Sequence, residues 1–210
     1  MSDIPLKIDG PERSAAAATI VLAHGAGAGM QSPFMEDIAR ALAAEDFRVV
    51  RFEFPYMRAA RAAGRGGRPD PPAVLEESWL EVISRLGSPE TLLIGGKSMG
   101  GRIASMVADR AGVRALVCLG YPFHPTGKPK VLRVSHLAAM ETPALILQGE
   151  RDAFGSREEI VSYTLSRAIR VVYLDDGDHS FKPRKSSGRT HEENMAQAVR
   201  EIAAFVASLR

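Results

Sequence analysis

LLIGGKSMGG, residues 92–101, is the stretch on which the fold turns. An apolar run, Leu92, Leu93 and Ile94, leads into four glycines, Gly95, Gly96, Gly100 and Gly101, that surround a single serine, Ser98. The run reads as a buried strand, and the segment after it, MGGRIASMVADR (99–110), has helical spacing. The glycines therefore mark a turn straight from strand into helix. The same alternation continues on both sides. TIVLAH (19–24), FRVVRFEF (47–54), RALVCLGYP (114–122), PALILQG (143–149) and IRVVYLDD (169–176) read as strands, with a short extra strand near 5–9. PFMEDIARALAAE (33–45), PPAVLEESWLEVISRLG (71–87), REEIVSYTLS (157–166) and residues 190–209 read as helices. Ser32 before Pro33, Ser156, and Thr190 with a Glu three residues on supply the start signals. Continuous apolar strands alternating with helices predict a mostly parallel sheet of about six to seven strands with helices on both faces. Two connections, 55–70 and 120–136, carry Gly, Pro and basic residues and read as irregular loops.

Bulk properties narrow the function classes. The 210 residues fit one α/β domain over 1–210, and the net charge of +2 gives no reason to expect a nucleic-acid partner. One cysteine, Cys118, allows no intrachain disulfide and fits a reducing compartment. Its place between Val117 and Leu119 makes it a small core residue rather than a nucleophile. MSDIPLKIDGPERS at the start lacks the apolar segment of a signal peptide, and no stretch reaches the roughly 20 apolar residues of a membrane span. A cytoplasmic protein with no membrane partner is expected.

Gly96-Lys97-Ser98-Met99-Gly100 is G-x-S-x-G between a strand and a helix. That context lifts a serine above the carboxyl edge of a parallel sheet and leaves room only for small residues two before and two after it. A serine hydroxyl is a weak nucleophile without a base, so an acid and a histidine should follow on later strand ends. Asp152 lies just past ALILQG and His179 just past VVYLDD, which gives the chain order Ser, Asp, His. Among the five histidines, His24, His124, His136 and His191 occupy other slots. Glu150 is the fallback acid. Asp175, Asp176 and Asp178 sit too near His179 in sequence and read as turn builders. A developing oxyanion needs two N–H donors. Met99 supplies one, and the Gly/Ala loop HGAGAGM (24–30) the other, from Ala26 or, second, Gly27. That loop lacks the G-K-[ST] ending of a phosphate loop and the third glycine of a dinucleotide fingerprint.

Taken together, HGAGAGM, GGKSMGGRIA, LILQGERDAFG and LDDGDHSF resemble the α/β-hydrolases, and more narrowly the small dienelactone-hydrolase-like group that includes the testis-expressed protein 30 type. The resemblance runs from about residue 19 to the end. It implies a three-layer α/β-hydrolase fold in which the second strand of the main series sits outside the first, and a Ser98–Asp152–His179 triad. Dienelactone hydrolases carry cysteine where this chain has Ser98. The short segment between 119 and 143 leaves no space for a large lid domain, so the site should be open.

Arg58, Arg61, Arg65 and Arg68, then Lys128, Lys130 and Arg133, then Lys182, Arg184, Lys185 and Arg189, fall in loops expected at the carboxyl edge. They form either a solvated face or a rim that draws an anionic substrate. Met30, Tyr56, Tyr121, Phe123 and Lys97 are the expected lining of the mouth. The expected activity is hydrolysis of a small or medium acyl ester or thioester through an acyl-enzyme, needing no metal or cofactor, by a monomer or homodimer. The alternatives are a non-catalytic interaction domain that keeps the fold, and a peptidase with the same machinery.

Overall fold

The computed structural model describes residues 4–209. Seven strands form one sheet in the order β1-β3-β2-β4-β5-β6-β7. They are β1 (Leu6–Asp9), β2 (Thr19–Ala23), β3 (Arg48–Phe52), β4 (Leu92–Lys97), β5 (Ala115–Leu119), β6 (Ala144–Gly149) and β7 (Ile169–Leu174). Only β1 runs antiparallel, against β3. The short strand near 5–9 is thus real, and β3 lies outside β2 as the resemblance implies. The fold is a three-layer α/β-hydrolase fold without a large lid: between β5 and β6 the only helical piece is a 3-10 turn, Ser135–Ala139.

Alternation along each strand divides two cores. Val21 and Ala23 on β2 face the side covered by α3 (Pro72–Leu86) and α4 (Met99–Ala111), where Trp79 and Ile103 are buried. Ile20 and Leu22 face the side covered by α1 (Pro33–Ala43) and α6 (His191–Ser208), where Met35, Ile38 and Phe205 pack. A strand buried on both faces cannot alternate polar and apolar, which is why the strands read as unbroken apolar runs.

Two elements differ from the sequence reading. Residues 55–70 are not wholly irregular, because Pro55–Ala62 forms a helix, α2. Pro55 takes the first helical position, where its missing N–H costs nothing, and Ala59, Ala60 and Ala62 favour helix. Arg58 and Arg61 therefore project from a helix, not a loop. Conversely, the helix expected at 157–166 is α5 (Arg157–Ile160) only. Its Ser156–Glu159 capping box forms. Then the Ser162 hydroxyl bonds back to Glu159 O at 2.6 Å, and Val161 and Thr164 add β-branched stiffness.

Candidate active site

β4 ends at Lys97 and α4 begins at Met99, so Ser98 alone makes the turn. It sits at φ 51°, ψ −116°, a strained conformation for a residue with a side chain. The turn is held on both sides: Ser98 N donates to Leu119 O at 3.0 Å, and Arg102 N to Ser98 O at 2.9 Å. The surrounding glycines are there for close approach. A Cβ on Gly96 would lie 2.1 Å from Ala23 O, and one on Gly100 2.4 Å from the same oxygen. At Gly95 and Gly101 the nearest oxygens, of Val117 and Gly96, would be 1.8 and 2.6 Å away.

Ser98, His179 and Asp152 come together from the ends of three strands. The Ser98 hydroxyl lies 2.8 Å from His179 Nε2, and His179 Nδ1 lies 2.7 Å from Asp152 Oδ2. Asp152 is buried, with its other contacts also from donors: Gln148 Nε2 to Oδ2 at 2.9 Å and Phe154 N to Oδ1 at 2.9 Å. Every neighbour of the carboxylate is a donor, so His179 Nδ1 carries its proton toward Asp152 and Nε2 is left to accept from Ser98. The nearby acids are engaged elsewhere. Glu150 binds Arg157 at 2.8 Å and the Asp176 N–H at 2.9 Å. Asp176 pairs with Arg184, and Asp178 accepts the N–H groups of Ser180 and Lys182, as turn builders do.

The loop after β2 is braced from behind. His24 Nε2 accepts the Phe54 N–H at 3.1 Å, so its proton is on Nδ1, which donates to Gly25 O at 2.7 Å. Burial lowers the His24 pKa to about 4, which keeps this brace neutral. The Tyr56 hydroxyl donates to Ala26 O at 3.0 Å and approaches Gly25 O at 3.3 Å. In the trans peptide Gly25–Ala26, an oxygen held by His24 and Tyr56 sends the Ala26 N–H the opposite way. Gly25 itself is adjacent to Ser98, since a Cβ on it would lie 3.7 Å from Ser98 Cβ. Gly27 is the next residue but one on the exposed rim.

Two cavities meet at Ser98. One, of about 370 Å3, is lined by Ala26, Met99, Arg102, Ile103, Arg133 and Phe154, among others. The other, of about 360 Å3, is lined by Gly27, Phe34, Lys97, His179 and Ser180, among others. Four expected lining residues are not at the mouth. Met30, Tyr56, Tyr121 and Phe123 are all buried. The Met30 carbonyl accepts from Arg51 NH1 at 2.7 Å, and Tyr56 braces the Ala26 loop. Gly120, at φ 68°, turns the chain so that Tyr121 points inward to bond Arg133 O at 3.0 Å. Phe123 packs under Gly155, where a Cβ would lie 2.8 Å from its ring. The apolar surface comes instead from Phe34, Phe154, Leu75 and Ile103.

Sequence reasoning missed Gln148 and Phe154. The Phe154 ring lies 4.4 Å from the His179 ring. Gln148 Oε1 accepts the Tyr121 N–H at 2.7 Å while Nε2 serves Asp152, tying β5 and β6 loops to the acid. Its signal was one polar residue ending the apolar strand ALILQG. The basic rim is partly consumed by partners: Arg61 pairs with Glu53 at 3.0 Å, Arg184 with Asp176, and Arg189 Nε donates to Asn194 at 2.9 Å. Arg65, Arg68, Lys128, Lys130, Lys182 and Lys185 are exposed.

Lys97 is 8% exposed, and its ammonium donates to His179 O at 2.5 Å, beneath the loop that carries the imidazole. Burial lowers its pKa from 10.5 to about 8, while Asp152 and Asp178 oppose the shift. An unfolded chain keeps this proton to higher pH, so between about pH 8 and 10 the unfolded state binds more protons and native stability rises with pH. Below pH 8 the cost of the buried charge, on the order of 3 kcal/mol, is fully present. In paired melts, the stability of the parent relative to Lys97→Met is therefore expected to rise between pH 7 and 10. A flat difference would mean that Lys97 carries no depressed pKa.

A family described as "Alpha/beta hydrolase domain" matches residues 16–207, and the chain belongs to it. Solved structures extend the likeness over nearly the whole chain. An alpha-beta serine hydrolase homologue from Coxiella burnetii is 20% identical, covers 99% of this chain and 92% of its own, and superposes with a TM-score of 0.70. A dienelactone hydrolase from Anabaena variabilis is 22% identical over 99% of this chain and 93% of its own, with a TM-score of 0.70. A serine hydrolase without a lid from Xanthomonas campestris is 19% identical over 95% and 89%, with a TM-score of 0.63. These likenesses are likenesses of fold. Among the described residues, no helix is long and apolar enough to cross a membrane.

Proposed function

We propose that this chain is a serine hydrolase that cleaves small or medium acyl esters or thioesters. The observation that carries this reading is the continuous chain from Ser98 Oγ to His179 Nε2, 2.8 Å, and from His179 Nδ1 to Asp152, 2.7 Å, opening onto two cavities. Ser98 Oγ attacks the substrate carbonyl carbon as His179 takes its proton. The carbonyl oxygen becomes an anion held by the N–H groups of Met99 and Ala26. When it collapses, the bond to the leaving oxygen or sulfur breaks, and His179 returns the proton to that atom. Water then attacks the acyl-serine by the same route, releasing the acid and restoring Ser98. Asp152 keeps the imidazole in the correct tautomer throughout.

Solved structures of the same fold that are described as an esterase domain, a dienelactone hydrolase and a monoacylglycerol lipase support ester cleavage as the chemistry. Within the superfamily the motifs favour the dienelactone-hydrolase-like, testis-expressed protein 30 type, with serine as nucleophile. Action in the cytoplasm, as a monomer or homodimer, belongs to the same reading.

A fluorophosphonate probe tests it. The parent protein is expected to be labelled at Ser98, and Ser98→Ala and His179→Ala are expected not to be. A folded parent that resists labelling would sink the reading and favour a non-catalytic interaction domain.

A further inference from the structure

The two cavities are chemically unlike, and the mechanism assigns a side to each. The leaving atom must receive a proton from His179, so the cavity that contains His179 takes the leaving group. The acyl part then extends across Ser98 into the other cavity, which lacks His179 and contains Arg102 and Arg133. This assignment rests on the acyl-transfer reading above.

Arg102 lies one helical turn beyond Ser98 on α4, and its backbone N–H donates to Ser98 O. Its Nε is buried and has no hydrogen-bond partner. Arg133 reaches the same cavity from the loop after β5. Its backbone is pinned twice, by its N–H to Phe123 O at 2.7 Å and by the Tyr121 hydroxyl to its carbonyl at 3.0 Å. Asp70 is the one acid in that lining, and its Oδ2 accepts the Tyr56 N–H at 2.9 Å. Neither guanidinium forms an ion pair with a carboxylate of the described residues. Burial, and then the charge of Arg102, hold the Arg133 guanidinium below its ordinary value, the mark of two like charges sharing a partly dry wall. Pro69, Pro72, Leu75, Ile103 and Pro122 give the same cavity apolar walls.

We propose that Arg102 and Arg133 bind a carboxylate at the far end of the acyl group, so that the preferred substrates are monoesters or monothioesters of short dicarboxylic acids. Two forked donors on one wall match the two oxygens of a carboxylate. One helical turn rises about 5.4 Å, the reach of a short methylene chain. Acids of about four to six carbons bridge such a gap between carbonyl and carboxylate. The apolar residues between Ser98 and the arginines cover the methylenes. Of the basic residues singled out in the sequence, only Arg133 lines this cavity.

The test compares three p-nitrophenyl esters of equal reach: the adipate monoester, its ω-amide, and the hexanoate. The expected kcat/KM for the adipate ester exceeds both neutral esters by roughly ten- to a hundredfold, the range of hydrogen bonds to charged groups. Added salt narrows that ratio. Arg102→Gln and Arg133→Gln are each expected to remove most of it, with free adipate losing its competition for the site. An exposed rim residue gives the comparison, since Lys130→Gln is expected to keep the ratio. A parent that remains reactive to fluorophosphonate but treats the three esters alike would overturn the subsite and leave the hydrolase reading standing. Equal loss of preference in Lys130→Gln would overturn it too, in favour of a field from the whole rim. Failure of all three esters together with absence of labelling would overturn both.

Discussion

Asp152→Asn is expected to fold as the parent does and to lose about a thousand- to ten-thousandfold in turnover. The two oxygens of Asp152 serve three donors: the Phe154 N–H on Oδ1, and Gln148 Nε2 and His179 Nδ1 on Oδ2. An asparagine has one acceptor oxygen to offer. If the oxygen stays with Phe154, the amide NH2 faces His179 and Gln148, two donors. The imidazole relieves that clash by moving its proton to Nε2, and a protonated Nε2 cannot take the proton of Ser98. If the oxygen turns to His179, the NH2 meets the Phe154 N–H, and a backbone donor is left without an acceptor, at a cost of about 1–3 kcal/mol. Either arrangement degrades the relay while changing no volume. Ester turnover and the fluorophosphonate labelling rate, measured beside a thermal melt, check this. Loss of activity below tenfold in a folded variant would remove Asp152 from the orienting role and return attention to Glu150.

Gly96→Ala should fail differently, by losing the fold itself. Its φ is 145°, a region that residues with side chains avoid, and the new methyl would stand 2.1 Å from Ala23 O and 2.8 Å from Ala23 N. Both neighbours belong to the backbone of β2, which is paired on both sides and cannot retreat. Backbone strain of about 1–3 kcal/mol and overpacking of similar size add to a large share of a total stability of about 5–15 kcal/mol. Gly66→Ala is the comparison, because nothing lies within 4 Å of a Cβ there. Its denaturation midpoint is expected to stay close to that of the parent, within about 0.5 kcal/mol. If Gly96→Ala melts like Gly66→Ala, the elbow is looser than its close contacts imply.

The sheet was readable because burial on both faces writes itself into sequence as unbroken apolar runs. The candidate relay was readable because a parallel sheet delivers successive strand ends to one edge, so Ser98, Asp152 and His179 needed only the right order. The lining of the mouth was not. Whether Tyr121 faces solvent or core depends on one backbone angle, at Gly120, and Tyr56 is drawn inward by carbonyls of a loop some 30 residues earlier in the chain. Both tyrosines were expected in the apolar lining of the mouth, whereas both are buried, with hydroxyls donating to backbone oxygens. Phe34 and Phe154 were passed over because each sat within a pattern already explained, a helix and a turn. Gln148 was hidden because its partners lie on two separate loops, Tyr121 after β5 and Asp152 and Gly155 after β6.

Arg51 gives the antiparallel edge strand a meaning beyond completing the sheet. It is 1% exposed; its Nε and NH2 grip Asp9 at 3.1 and 2.7 Å, and its NH1 holds the Met30 carbonyl at 2.7 Å. The first strand is therefore wired, through one guanidinium, to the far end of the Gly/Ala loop beside Ser98. A fragment trimmed to the family-matched residues 16–207 would discard Asp9 and strand that cation inside the protein. The packed structure thus reaches beyond the family-matched stretch, to a counter-ion on an edge strand that carries no reacting group.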